Sequence, residues 1–241
     1  MKEIIKLFAV LCLTILIPVL TGCEDTKTNN NKAKAIEISL SSDAKEYGIK
    51  LSEKEDFSSI SDSYIVDEFK TRNTTFSFIN FKGAFNASGL MDGSNDFLAY
   101  TLYIKNEGSD VATIELSLKA IQDTKNMGKA VRIAVIDGGN TTDDGKNTFN
   151  NGALYLKNDG HGDENLVGDL NDETIKSLYD RFEKEFFKDD SNIGSFQIEN
   201  VGVNDIKKIT IIIWLEGSDI DCTNEILGGI FSTGIDVSIK K

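Results

Sequence analysis

The chain predicts an all-β protein: one β-sandwich with jelly-roll or Greek-key connections and a single amphipathic helix inserted into it. Three observations carry that expectation. Roughly nine short segments alternate apolar and polar residues, or run apolar with β-branched and aromatic side chains. The only proline, Pro18, lies near the N-terminus, so the later turns rely on Gly, Asn and Asp. Only one stretch after the N-terminal region carries apolar residues at helical spacing.

The elements follow in order. Residues 1–22 have the zones of an export signal: Lys2 and Lys6, then the uncharged run "LFAVLCLTILIPVL" over 7–20. As a helix that run spans roughly 21 Å, short of the roughly 30 Å hydrocarbon core of a bilayer, so a removable signal is favoured over a membrane span. The run closes on Leu20, Thr21, Gly22 and Cys23. This resembles the lipobox of bacterial lipoproteins, in which small residues pass the peptidase and the cysteine thiol is alkylated by a diacylglyceryl donor. Cys23 is therefore the expected lipidation site, and two or more acyl chains give firm anchoring where one is marginal. Residues 23–34 supply that cysteine and a polar tether, "EDTKTNNNKAK", too poor in apolar groups to fold by itself. Residues 35–241 form the expected ectodomain.

Within it, "AIEISLS" (35–41), "TFSFINFKG" (75–83) and the arms 97–105 and 111–118 read as strands, with "NEGSD" between the arms as a hairpin loop. Residues 130–137, 153–157, 206–217 and 234–241 add further strands. The segment "DLNDETIKSLYDRFEKEFFKDD" places Leu170, Ile175, Leu178, Phe182 and Phe186 at helical spacing, which predicts a helix over 172–188 capped by Asn171 or Asp172.

Composition narrows the function. The full chain carries a formal −13. Without residues 1–22, which hold two Lys and one Glu, 24 basic and 38 acidic residues remain, a formal −14. That balance argues against nucleic acid as a partner and against a basic membrane-binding face. Cys12 falls in the signal and Cys23 would be acylated, which leaves Cys222 without an intrachain partner. Stability is thus expected from core burial alone.

Two blocks carry a resemblance. The first, 98–137, holds Tyr100, Tyr103, Asn106, Gly108 and then Gly128, Lys129, Ala130, Val131 and Arg132. The second, 209–240, holds Trp214, Glu216, Gly217, Asp219, Cys222, Gly228 and Gly229. Together they resemble exported proteins of low-G+C Gram-positive bacteria related to the TasA/camelysin class. The resemblance implies a jelly-roll-like sandwich at the cell surface, in a class some of whose members assemble into fibres by strand exchange. The lipobox departs from that class, whose signal is cleaved without a lipidated cysteine, and favours a tethered module over free fibres.

The chemistry-bearing residues are few. His161 is the only histidine and sits in the loop "NDGHGDEN", which disfavours His-based zinc sites and Ser-His-Asp triads. Two acidic, Gly/Asn-rich loops, 137–147 and 158–172, offer oxygen ligands for calcium, with Asp137, Asn140, Asp143 and Asp144 the better candidates. Neither loop fits the twelve-residue EF-hand pattern. In "WLEGSDIDC", Trp214 is expected to pack beneath the turn that Gly217 starts, while Glu216, Asp219 and Asp221 satisfy backbone amides or hold a cation. Cys222 reads as a small buried hydrophobe.

The sequence thus leads to a membrane-anchored, extracytoplasmic lipoprotein acting as a non-enzymatic structural or adhesive surface module. Its expected partners are the bilayer, through the Cys23 acyl anchor, and surface polymers or further copies of itself. A small-ligand or carbohydrate-binding lipoprotein, calcium-dependent or free of any cofactor, is the alternative. A hydrolase using Glu216 and Asp219 is the third reading.

Overall fold

The structure is a computed structural model that describes residues 34–91, 95–158 and 170–240. The signal, Cys23, the tether up to residue 33, His161 and most of the second acidic loop lie outside the described residues, and Lys34, expected to end the tether, already belongs to the first strand.

Two β-sheets face each other. The smaller contains β1 (Lys34–Leu40), β3 (Ser63–Asp67), β7 (Ala112–Asp123), β13 (Asn192–Val201) and β15 (Phe231–Ile239), in the order β13-β7-β15-β1-β3. The larger is built on β2 (Ile49–Ser52), β6 (Phe97–Asn106), β8 (Val131–Asp137), β11 (Asn151–Leu156), β12 (Glu183–Phe186) and β14 (Ile206–Glu216), in the order β12-β11-β8-β14-β6-β2. Two short strands extend it: β4 (Asn73–Thr74) beside β14 and β5 (Gly89–Leu90) beside β6. A separate tight ribbon pairs β9 (Asn140–Thr141) with β10 (Asn147–Thr148). The expected all-β sandwich is what the chain forms, and most connections between the longer strands pass from one sheet to the other.

The alternation read in the sequence explains the inner core. On β1, Ile36, Ile38 and Leu40 are buried while the intervening residues are half-buried. On β7, Ala112, Ile114, Leu116 and Leu118 are buried. They meet Ile133, Val135, Tyr155, Ile209 and Ile211 of the larger sheet in one cluster. The larger sheet is also covered on its outer face. Phe76, Phe81, Phe85, Phe149, Leu178, Tyr179, Phe182 and Trp214 form a second, aromatic cluster there. Burial on both faces accounts for the mostly apolar runs "VRIAVID" in β8 and "ITIIIWLE" in β14, in which Arg132, Asp137, Thr210 and Glu216 are buried with the rest.

Three expectations about local structure are corrected. Residues 106–110 do not close a hairpin: β6 belongs to the larger sheet and β7 to the smaller, so the chain crosses the sandwich there. Buried Asn106 organises the crossing, its Nδ2 donating to Asp110 O (2.8 Å) and Val201 O (2.9 Å) while its Oδ1 accepts from Gly108 N (2.9 Å). A short helix α1 (Ser42–Tyr47) lies against the same corner, ended by Gly48 at φ 107°. A Cβ on Gly48 would lie 2.8 Å from Gly108 N, so both the left-handed backbone and the close approach require glycine.

The segment 75–83 is not a strand. It forms a single 3-10 turn, Phe76–Phe78, and then helix α2 (Phe81–Asn86), capped by Asn80 Oδ1 accepting from Gly83 N at 2.9 Å. Phe76 is fully buried and Phe78 is 78% exposed, which two same-face positions of a half-buried strand would not show.

The helix expected over 172–188 is shorter. Helix α3 spans Glu173–Tyr179, with the Asp172 side chain accepting from Thr174 N and Ile175 N. The chain then turns and adds β12 parallel to β11. An i, i+4 pair such as Phe182 and Phe186 shares a side in a strand as well as in a helix, so the spacing did not discriminate. Backbone pairing with the β11 edge decided the outcome.

Candidate functional site

The tryptophan block folds as a turn whose acids face inward. Trp214 ends the apolar run of β14 and sits 1% exposed under the 3-10 turn, its ring centroid 6.1 Å from that of Phe76. Glu216 is fully buried. Its Oε2 accepts from Trp214 Nε1 at 3.0 Å and from Phe76 N at 3.3 Å, and its Oε1 accepts from Ser218 N at 3.2 Å. Gly217 N donates to Thr74 O at 2.6 Å, which stitches the turn to β4. Asp219 Oδ1 accepts from Asp221 N at 2.7 Å, and its other oxygen accepts from the guanidinium of Arg132.

Arg132 and Asp219 form a buried ion pair, with side chains 3% and 1% exposed. The guanidinium also donates to Lys129 O (2.9 Å) and Val131 O (3.2 Å), the hydrogen bonding a buried charge needs. The two sequence blocks 128–132 and 214–222 therefore meet in one network. The carboxylates of Glu216 and Asp219 are engaged with amides, an indole and a guanidinium, whereas Asp221 Oδ1 lies 3.5 Å from the Lys129 ammonium and its buried Oδ2 has no partner. Glu216 and Asp219 each accept from backbone amides of the turn. Cys222 is half-buried against the inner core, and burial pushes its thiol pKa up, away from the thiolate a nucleophile requires. Substituting Glu216 by Gln keeps the shape but turns an amide N–H₂ toward a donor. The expected loss is about 1–3 kcal/mol of folding free energy in urea titration.

Arg132 was named in the sequence only as part of the first resembling block, not as the partner of Asp219. A lone guanidinium inside "AVRIAVID" was the available signal, because a charge in a doubly covered strand demands a partner.

The calcium candidates separate. Asn140 starts β9, while Asp143 and Asp144 lie in the exposed turn between β9 and β10. Asp144 is held at a pKa of about 2 by the Thr142 hydroxyl and by Lys146, whose ammonium is 2.9 Å away. Asp137 ends β8 and faces between the sheets, opposite Asn151 on β11 and Ile209 on β14. Among the described residues, no three of His, Cys, Asp or Glu gather to hold a metal ion.

Asp137 instead opens onto a crevice of about 570 Å³ at the side of the sandwich, between β11 and β12 of the larger sheet and the edge strand β13 of the smaller. The register sets its walls. Ala153 pairs with Glu183 and Tyr155 with Glu185, so both glutamates share the inter-sheet face with the buried Ala153 and Tyr155. Burial raises the Asp137 carboxyl above the ordinary carboxylate range, opposed by Lys207 and by a hydrogen bond from Asn150. Burial and then the charge of Glu183 raise Glu185. No sequence signal pointed to Glu183 or Glu185, because a helix would have set them on different sides.

Comparison with protein families, with curated proteins and with solved structures returns no match. The residues alone must carry any functional reading.

Proposed function

We propose that the protein is a membrane-anchored, extracytoplasmic lipoprotein, acting without enzymatic activity as a structural or adhesive module of the cell surface. The observation that carries this reading is the succession of an apolar run, Leu20-Thr21-Gly22-Cys23 and a polar tether that leads into the first strand. The placement of β1 supports it. β1 lies inside the smaller sheet, parallel to β15 on one side and antiparallel to β3 on the other. Tension on the chain at Lys34 acts along β1 and loads the hydrogen bonds to both neighbours together. The turn block supports it as well, since Glu216 and Asp219 serve internal bonds.

Two experiments test the reading. Cys23→Ser is expected to move the protein from the membrane fraction to the soluble fraction, read by immunoblot. A variant that stays with the membrane rejects the anchor. The purified ectodomain, titrated against cell-wall polymers, host matrix proteins and itself, is expected to bind at least one. A monomer that binds none rejects the structural or adhesive role. The crevice beside Asp137 favours a second reading, a small-ligand-binding lipoprotein.

A further inference from the structure

The turns that flank the first residue of β1 gather at one end of the sandwich. Lys34 pairs with Asp67 at the close of β3, Ile36 is level with Thr233 near the start of β15, and Phe231 is level with Asp123 at the close of β7. The segment 217–230 joins β14 to β15. It therefore enters the sheet beside the point where the chain reaches β1, about one strand spacing or 4.8 Å away.

That segment holds two large aliphatic side chains out in solvent. Ile220 is 58% and Leu227 67% exposed, while their neighbours Cys222 and Ile226 pack against the inner core. Scattered apolar residues on a surface need no explanation. These two differ because the backbone under them is fixed. Asp219 holds the turn at Ile220 through the Arg132 guanidinium and the Asp221 amide. Lys125 Nζ donates to Leu227 O, and Ile230 N donates to Thr124 Oγ1 at 2.7 Å. The aliphatic tips are thus presented on a braced frame and lose little conformational entropy on contact.

Several acids at the same end are matched: Asp96 with Arg72 (2.9 Å), Asp221 with Lys129 (3.5 Å) and Asp190 with Lys157 (2.8 Å). Such pairing lowers the repulsion this end meets at an anionic surface. The other exposed charges there include both signs, Glu68 and Glu225 with Lys70 and Lys125, so contact rests on the aliphatic tips rather than on charge.

Distance decides which end can reach a bilayer. The 11 chain steps from Cys23 to Lys34 extend to at most about 36–40 Å. β7 alone, 12 residues long, runs about 40 Å from this end to Val111 at the other. A bilayer that holds acyl chains on Cys23 is therefore within easy reach of Ile220 and Leu227. Val111 could meet it only with the tether drawn out along the whole sandwich.

We propose that the 217–230 segment rests on the headgroup layer of the anchoring bilayer, with Ile220 and Leu227 inserted at the interface. The inference rests on the lipoprotein reading of Cys23. Two aliphatic side chains are too few to recruit a free protein. A tethered one starts at high effective concentration beside the surface, and weak contact then suffices to hold an orientation. The far end, where Val111 and Val203 are exposed, is left free to meet a partner.

The test reconstitutes the full chain, with its native acyl anchor, into phosphatidylcholine and phosphatidylglycerol vesicles whose lipid tails carry bromine, a short-range quencher of tryptophan fluorescence. Flotation reads the anchor and quenching reads the orientation. Leu227→Trp and Val111→Trp replace side chains of similar exposure at opposite ends, over the same buried Trp214 background. Fluorescence added by Leu227→Trp is expected to be quenched about twofold or more beyond that added by Val111→Trp, since interfacial groups sit about 5–10 Å into the headgroup and acyl boundary. Adding Ile220→Asp is expected to remove most of that excess while leaving the urea midpoint unchanged. Excess quenching that persists with Ile220→Asp overturns the insertion of that side chain. Equal quenching at both ends, in protein that floats, overturns the proposal and leaves the anchor standing. Stronger quenching at position 111 overturns it in favour of the opposite orientation. Shielding of position 227 from aqueous iodide without quenching by bromine overturns it in favour of a protein partner. Protein that does not float with the vesicles rejects the Cys23 anchor, and this inference with it.

Discussion

Asp219→Ala is expected to lower the folding free energy by about 3–5 kcal/mol, because it strands the Arg132 guanidinium in the interior. Desolvating a charge is unfavourable by several kcal/mol unless a partner and hydrogen bonds offset it. Arg132 retains its two carbonyl acceptors in the variant, Lys129 O and Val131 O, but loses its counter-ion. The amide of Asp221 loses its acceptor at the same time. Arg132→Met should be destabilising by a similar amount, since it leaves the Asp219 carboxylate without its guanidinium. The double variant Arg132→Met/Asp219→Ala is expected to be clearly more stable than the sum of the single losses, because neither uncompensated charge remains. A double-mutant cycle from urea unfolding measures this. Additive losses would show that the two side chains act separately, contrary to the buried pair described here.

Trp214→Ala is the second large effect, about 3–5 kcal/mol from the lost side chain and the cavity left behind. Trp214 lies among Phe76, Tyr179 and Phe182 in the outer cluster, where Phe76 also packs 5.4 Å from Tyr179 and 5.9 Å from Phe182. Its removal also leaves Glu216 Oε2 with one donor fewer. Trp214→Phe separates the two contributions. It retains an aromatic ring and loses the indole N–H, and should be destabilising by about 1–2 kcal/mol. Equal midpoints for Trp214→Ala and the parent protein in urea would mean that the outer aromatic layer adds nothing to folding.

The parts of this fold that were legible in the sequence are those where one physical rule acts alone. β1 and β7 alternate because one face meets the core and the other does not. β8 and β14 run apolar because both faces are covered, and their strand assignment followed from β-branched content. β13 was missed: "NIGSFQIENV" buries Ile193, Phe196, Ile198 and Val201, and register shifts near both ends break the period of two. The 106–110 crossing was misread because loop composition reports a turn without reporting which sheet receives the next strand. The site was less legible than the fold. Glu216 and Asp219 stood out as acids in a turn, but the partner that engages Asp219 lies 87 positions away in the chain. Asp137 stood out beside Asn140, Asp143 and Asp144, which are near it in sequence. Sheet pairing places it with Asn151 and the Glu183–Glu185 wall instead.

The covalent state of Cys23 decides whether the protein is held at the membrane. Intact-mass and peptide mass spectrometry of the protein isolated from its own membranes measures that state directly. The expected result is a chain beginning at Cys23 with a diacylglyceryl group on sulfur. A chain retaining residues 1–22, or an unmodified Cys23 thiol on soluble protein, would contradict it.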